Sequence, residues 1–291
     1  MTESFRCSLA SLRDAEPMAG TAPQEASYLC LEYAGSWGHH ALAESRLPAA
    51  VQEGLADVPG VKVLLIRRHG GYSGPGVRVF AARVGDDPWI ETTVLDRAEE
   101  VLDLDLAALG EGRRPGLTAY DELLWLVCTN GGRDRCCAQI GRPITSAVAA
   151  RWPHETWETT HLGGHRFAGT MLALPSGVCL GRLDHESAVA ACREIEAGRH
   201  PRDHSRGRAG LPPVAQVAEL AVLGEAPVPL DRMRVEAVDG GTVSGTADGR
   251  AWAVDVAEEP GPDRRQSCGE DRVKPTVVRR PGPVSLAPPA V

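Results

Sequence analysis

The sequence predicts an α/β fold of two halves with the same order of elements, followed by a small antiparallel β region. Three observations carry this expectation. Short apolar runs alternate with segments of helical spacing as far as Gly198. A joint rich in Gly, Arg and Pro, residues 110–116, separates two stretches that repeat one element order. From Met233 the segments become short and alternating, divided by Asp239-Gly240-Gly241 and Asp248-Gly249. The expected units are residues 1–112, 113–205 and 206–291.

In the first half, residues 27–33 form an apolar strand. A helix is expected over 48–56, where Pro48 suits a first helical position and Leu47, Val51 and Leu55 recur on one face. Residues 61–66 are almost wholly Val, Leu and Ile, as in a buried parallel strand. Segments 77–84 and 89–95 read as strands joined by Gly85-Asp86-Asp87-Pro88, and Asp96 caps a helix to Leu109. After the joint come a strand at 122–127, a helix at 133–151 with Gly141 and Pro143 disturbing its first turns, and a strand at 156–160. A hairpin, 170–174 with 178–183, and a helix capped by Asp184 complete the set. Strand-helix-strand, then hairpin and helix, is the thioredoxin-like layout. The expectation is therefore two thioredoxin-like halves, with metal ligands in the second alone. Residues 201–213 read as loop, 213–223 as helix, and 234–238, 242–246 and 252–256 as the strands of the β region. The proline-bearing tail is expected to be disordered at its end.

A net charge of −8 with both signs interspersed argues against a nucleic-acid partner, which needs a basic face. Every apolar run is interrupted before membrane-spanning length, and the first twenty residues carry charges where a signal peptide needs an apolar region. A cytoplasmic protein without membrane association is expected. In that compartment the eight cysteines point to metal or redox work, or to plain core packing for Cys30, Cys179 and Cys192.

Cys128 falls at the end of a strand and the Cys136-Cys137 pair in the first turn of the next helix, so they face each other across one loop. Gly131 and Gly132 let that loop bend around a bulky object. His161 and His165 follow the next strand, and Gly163-Gly164 between them permits close backbone approach. In this layout the two loops adjoin, so two thiolates and two imidazoles converge. Three readings compete. The residues are ordinary buried thiols and polar histidines; or they hold zinc in a Cys₂His₂ shell; or they hold a [2Fe–2S] cluster, one iron on two cysteines and the other on two histidines. The long Cys–Cys loop leans away from a zinc knuckle, but spacing does not separate zinc from cluster.

The segments CTNGGRDRCCAQIGRP at 128–143 and HLGGHRFAGT at 161–170, with Pro175-Ser176-Gly177 and Gly181-Arg182-Leu183, resemble the sucrase/ferredoxin-like family, relatives of thioredoxin-like ferredoxins. Weaker agreement occurs at Cys7, Gly20-Thr21-Ala22, 35–38, 206–208 and Ser267-Cys268-Gly269. The resemblance implies a [2Fe–2S] cluster on Cys128, Cys137, His161 and His165. It favours Cys137 over Cys136, which stays as the alternative ligand. Asn130 and Gly132 stand where many relatives have a basic residue or histidine.

The function expected is electron transfer, coupled to protons through the imidazole nitrogens that face away from iron, with an unidentified redox protein as partner. Arg133, Asp134 and Arg135 flank the site and are candidates for docking that partner or tuning the potential; Gly163 and Gly164 frame it. The alternative is a zinc-stabilised interaction module. Hydrolysis, which the family name suggests, finds only Asp103 with Asp105 or Glu99 with Glu100, on a helix face without sugar-stacking aromatics. Thioredoxin-type thiol exchange needs a Cys-x-x-Cys that the chain lacks. Cys268 reads as a turn cysteine or a further contact near the cluster.

Overall fold

The computed structural model describes residues 5–71 and 74–288. After a short helix α1 (Cys7–Arg13), the first half contains β1 (Ser27–Glu32), α2 (Ala49–Ala56), β2 (Val61–Arg67), β3 (Val77–Arg83), β4 (Trp89–Leu95) and α3 (Leu106–Gly110). The second half contains β5 (Thr118–Ala119), β6 (Leu124–Cys128), α4 (Arg135–Ala149), β7 (Thr156–Thr159), β8 (Met171–Leu174), β9 (Val178–Leu180), α5 (His185–Glu196) and β10 (Ser205–Arg208). Then follow α6 (Pro213–Glu225), β11 (Met233–Asp239), β12 (Thr242–Ala247), β13 (Arg250–Arg265), β14 (Val273–Pro281) and β15 (Ser285–Leu286).

One ten-stranded sheet runs through both halves in the order β10-β9-β8-β6-β7-β2-β1-β3-β4-β5. The halves repeat one pattern. β1 is parallel to β2 and antiparallel to β3, which pairs with β4; β6 is parallel to β7 and antiparallel to β8, which pairs with β9. They meet edge to edge at β2 and β7, where Ile66 pairs with Thr159 and Arg67 with Glu158. Thr160 extends this seam by donating its N–H to the Leu65 carbonyl at 3.0 Å and accepting the Leu65 N–H on Oγ1 at 3.1 Å.

The central strands β1 and β6 are buried on both faces, which is why their sequences are continuous apolar runs. One core is shared by the halves: Leu64, Ile66 and Phe80 with Leu126, Cys128 and Trp157. The opposite face is covered separately, by α2 and α3 over Leu29, Leu31 and Val79, and by α4 and α5 over Trp125, Val127 and Met171. The second sheet, β11-β12-β13-β14 with β15 on β13, packs its Val243, Trp252 and Val254 against Ala218 and Val222 of α6.

The structure departs from the expected elements in four places. The helix expected from Asp96 to Leu109 is a 3₁₀ stretch, Ala98–Asp103, and then α3, because Asp105 accepts the Ala108 N–H and starts a new helix. Gly141 and Pro143 do not disturb α4, whose helical assignment is continuous. The loop expected at 201–213 contains β10, which pairs with β9 and spans the expected boundary at residue 205. β13 and β14 form a long hairpin, and Pro281 ends a strand, so the ordered β region reaches Leu286. The last three residues, where disorder was expected, lie outside the described residues.

Candidate metal centre

Cys128 is the last residue of β6, and Asp134 is the N-cap of α4, its carboxylate accepting the Cys136 N–H at 2.9 Å. Cys136 and Cys137 occupy the first turn. Successive side chains on a helix point about 100° apart, so these neighbours face different surroundings. Cys137 turns to the end of β6. There Cys128, Cys137 and His161 bring their ligand atoms within 4.8 Å of one another. His165 lies beyond that group but beside it, its Nδ1 3.3 Å from His161 Nε2. Both sulfurs are buried.

The electrostatics of the thiols are those of a pair sharing one proton. The hydrogen bond from Cys137 holds Cys128 well below the ordinary thiol range, against burial and with help from His161; the same bond and burial push Cys137 up. Burial, then His161, lowers the His165 imidazole, which favours its neutral, ligating form. His161 Nδ1 and His165 Nε2 are buried without a hydrogen-bond partner. The rings meet through His165 Nδ1 and His161 Nε2, so in the neutral pair one unpartnered nitrogen carries an N–H and the other a lone pair. The two buried thiols with His161, all within 4.8 Å, are the donors gathered for a metal. The donor set therefore fits a metal group.

Both halves build the pocket. Gly132 sits under the loop after β1, where a Cβ would lie 2.4 Å from the Trp37 carbonyl oxygen and 2.8 Å from the Gly38 carbonyl carbon. This contact gives the position a local reason to be glycine. Asn130 is buried, its Oδ1 accepting the Arg133 N–H at 3.1 Å, and Arg133 reaches the His39 ring at 3.1 Å. Thr129 donates to Glu158 at 2.8 Å. Burial raises the Glu158 carboxyl, but Thr129, His69 and Arg67 outweigh it and hold the group below the usual carboxylate range.

The histidine loop rests on Arg206, which lies in the resembling segment 206–208 but had no role in the sequence reading. Arg206 is buried and donates to the Gly163 carbonyl at 3.0 Å, to Thr21 Oγ1 at 3.1 Å and to the Thr21 carbonyl. Gly164 has φ +66°, and a Cβ there would lie 2.5 Å from the guanidinium. A left-handed backbone in close approach to a side chain requires glycine.

Cys136 faces elsewhere. Cys7, Asp134, Cys136 and Cys268 form a second group whose ligand atoms lie within 4.8 Å of one another. Hydrogen bonds from Cys7 and Ser8 bring the Cys136 thiol down to about 5 against burial, while Cys7 is pushed up. Asp134, expected beside the first group as a docking or tuning residue, is buried here and accepts the Cys268 N–H at 2.8 Å and the Ser267 hydroxyl at 3.0 Å. Cys268 is more than a turn cysteine. The available signal was that Cys7 and Ser267-Cys268-Gly269 both lie in segments carrying the family resemblance.

Fold and sites thus define a mixed α/β protein with two thiol-rich groups able to hold metal. None of the described helices is long and apolar enough to cross a membrane. The sucrase/ferredoxin-like family model matches residues 18–207, and the chain belongs to that family. No curated protein and no solved structure matches the chain.

Proposed function

We propose that Cys128, Cys137, His161 and His165 hold a [2Fe–2S] cluster and that the protein carries electrons to or from a partner redox protein. The observation that carries this reading is the convergence of Cys128, Cys137 and His161 within 4.8 Å, with His165 Nδ1 3.3 Å from His161 Nε2. Membership of a family named in part for ferredoxins supports it. So does the strand order of each half, β2-β1-β3-β4 and β7-β6-β8-β9, which we read as thioredoxin-like.

A bound cluster would supply one-electron chemistry, at a potential raised by neutral imidazoles in place of thiolates. The chain's own residues do the rest. Arg206 fixes the histidine loop through Gly163, and the Trp37–Gly38 backbone closes the cysteine loop at Gly132. His165 also lines a cleft with Arg166, Arg264, Lys274 and Arg279. That cleft is the approach for a partner protein.

A second reading, a single zinc ion, is favoured by the compactness of Cys128, Cys137 and His161. Anaerobic purification followed by iron, sulfide and zinc analysis, with EPR after dithionite, separates the two. Stoichiometric iron and sulfide with a rhombic reduced signal supports the cluster. A colourless protein whose zinc is lost in Cys128→Ala supports zinc and overturns the cluster.

A further inference from the structure

We propose that Cys7, Cys136, Cys268 and Asp134 bind a single zinc ion at a second, structural site, separate from the Cys128 centre. The argument rests on distances, closure and hydrogen bonding.

Cys136 Sγ lies 3.3 Å from Cys268 Sγ, Cys268 Sγ 3.5 Å from Cys7 Sγ, and Cys7 Sγ 3.5 Å from Asp134 Oδ2. With Zn–S of about 2.3 Å and Zn–O of about 2.0–2.2 Å, a tetrahedral ion sets its ligand atoms about 3.5–3.8 Å apart. The three measured separations are close to such edges, and all four donors lie within 4.8 Å of one another. The sulfurs are well beyond the disulfide length of about 2.05 Å. They are also too close together to bind separate irons of a cluster. Three thiolates and one carboxylate with no open position are a structural shell, and soft thiolates select zinc over magnesium or calcium.

The surroundings are built for that charge. Cys7, Cys136 and Asp134 are 0%, 2% and 3% exposed. The Cys7 N–H donates to Cys268 Sγ at 3.3 Å. A carboxylate offers about four acceptor sites. Asp134 Oδ2 accepts the Cys268 N–H and the Ser267 hydroxyl, and Oδ1 accepts the Cys136 N–H, so the acceptor site left for a metal is on Oδ1. Binding would expel the thiol protons to solvent without any change of oxidation state.

The ligands come from three distant places: α1, the first turn of α4, and the turn between β13 and β14. Cys136 and Cys268 are 132 residues apart, and Cys7 and Cys268 261. An ion here would clamp the amino-terminal helix and the long hairpin onto the helix that carries Cys137.

The test is metal content of the full-length protein, produced with iron and zinc both supplied. About one zinc per chain is expected in the wild type, as for a closed structural site. That zinc should remain in a Cys128→Ala/His161→Ala variant, which dismantles the first centre, and fall at least tenfold in Cys268→Ser and Asp134→Asn. If those variants do not fold, the Cys128→Ala/His161→Ala protein refolded with cobalt decides, through the intense visible bands of tetrahedral thiolate coordination. Zinc that survives Cys268→Ser overturns the proposal. So does wild-type protein that contains no zinc with a double variant that takes up no cobalt, or wild-type protein in which alkylation finds a disulfide among these three cysteines.

Discussion

Cys136 and Cys137 are adjacent in the chain, yet their sulfurs belong to different groups. Cys137 joins Cys128 and His161, whereas Cys136 lies 3.3 Å from Cys268. One residue of helical rotation, fixed by the Asp134 cap, makes the division. Removing either thiol should therefore have separate consequences. Cys137→Ala should abolish the reduced EPR signal and most of the iron, while Cys136→Ala should keep both. Loss of iron in Cys136→Ala with retention in Cys137→Ala would reverse the ligand assignment.

Gly132 couples the halves at the cysteine loop. Gly132→Ala places a methyl group 2.4 Å from the Trp37 carbonyl oxygen, and backbone cannot yield as a side-chain end can. Overpacking of this kind costs about 1–3 kcal/mol. A lower urea midpoint and a reduced iron-to-protein ratio are expected. An unchanged ratio would mean that the Trp37 loop does not support the centre.

Arg206 holds the histidine loop by hydrogen bonds from more than one face of its guanidinium. Arg206→Lys keeps the charge but cannot span Gly163 and Thr21 together. With about 1.5–3 kcal/mol for each hydrogen bond to a charged group, the variant should melt lower and bleach faster in air. Fast bleaching at unchanged melting temperature would place the effect at the histidine loop alone.

His200 is buried with Nε2 2.7 Å from Ser205 Oγ, at the start of β10. Burial, then Arg208 and Arg202, bring its pKa from 6.5 down to about 3. Between these values the unfolded chain binds the proton and the native protein does not. The stability from neutral His200 is thus fully present above the unfolded pKa and is lost as pH falls through this window, at up to about 1.4 kcal/mol per pH unit. Urea midpoints at pH 7 and pH 5 should differ less in His200→Gln than in wild type. Equal differences would show that other groups set the acid sensitivity.

Much of this architecture was legible in the residues. The apolar runs at Leu29–Leu31 and Leu124–Val127 mark the central strands because those strands are covered on both faces. The repeated element order predicts two strand patterns, and the sheet contains both. Less legible were the break before α3, where the competing cap Asp105 lies inside a helical spacing, and β10, whose Ser-Arg-Gly-Arg sequence has no strand signature. β10 is ordered by its pairing with β9 and by its buried arginines, which are tertiary contacts.

By itself the sequence determined which donors exist and which of them sit on adjoining loops. Cys128 with Cys137, and His161 with His165, are each joined by a short span of chain, and the strand-helix layout brings the two loops together. Only the tertiary structure decided that Asp134 is buried, that Arg206 carries the histidine loop, and that Cys7, Cys136 and Cys268 meet. Periodicity reports the face a side chain takes on its own element. Which distant segment covers that face depends on the packing of α1 and the β13–β14 hairpin against α4, a long-range choice that no local pattern encodes.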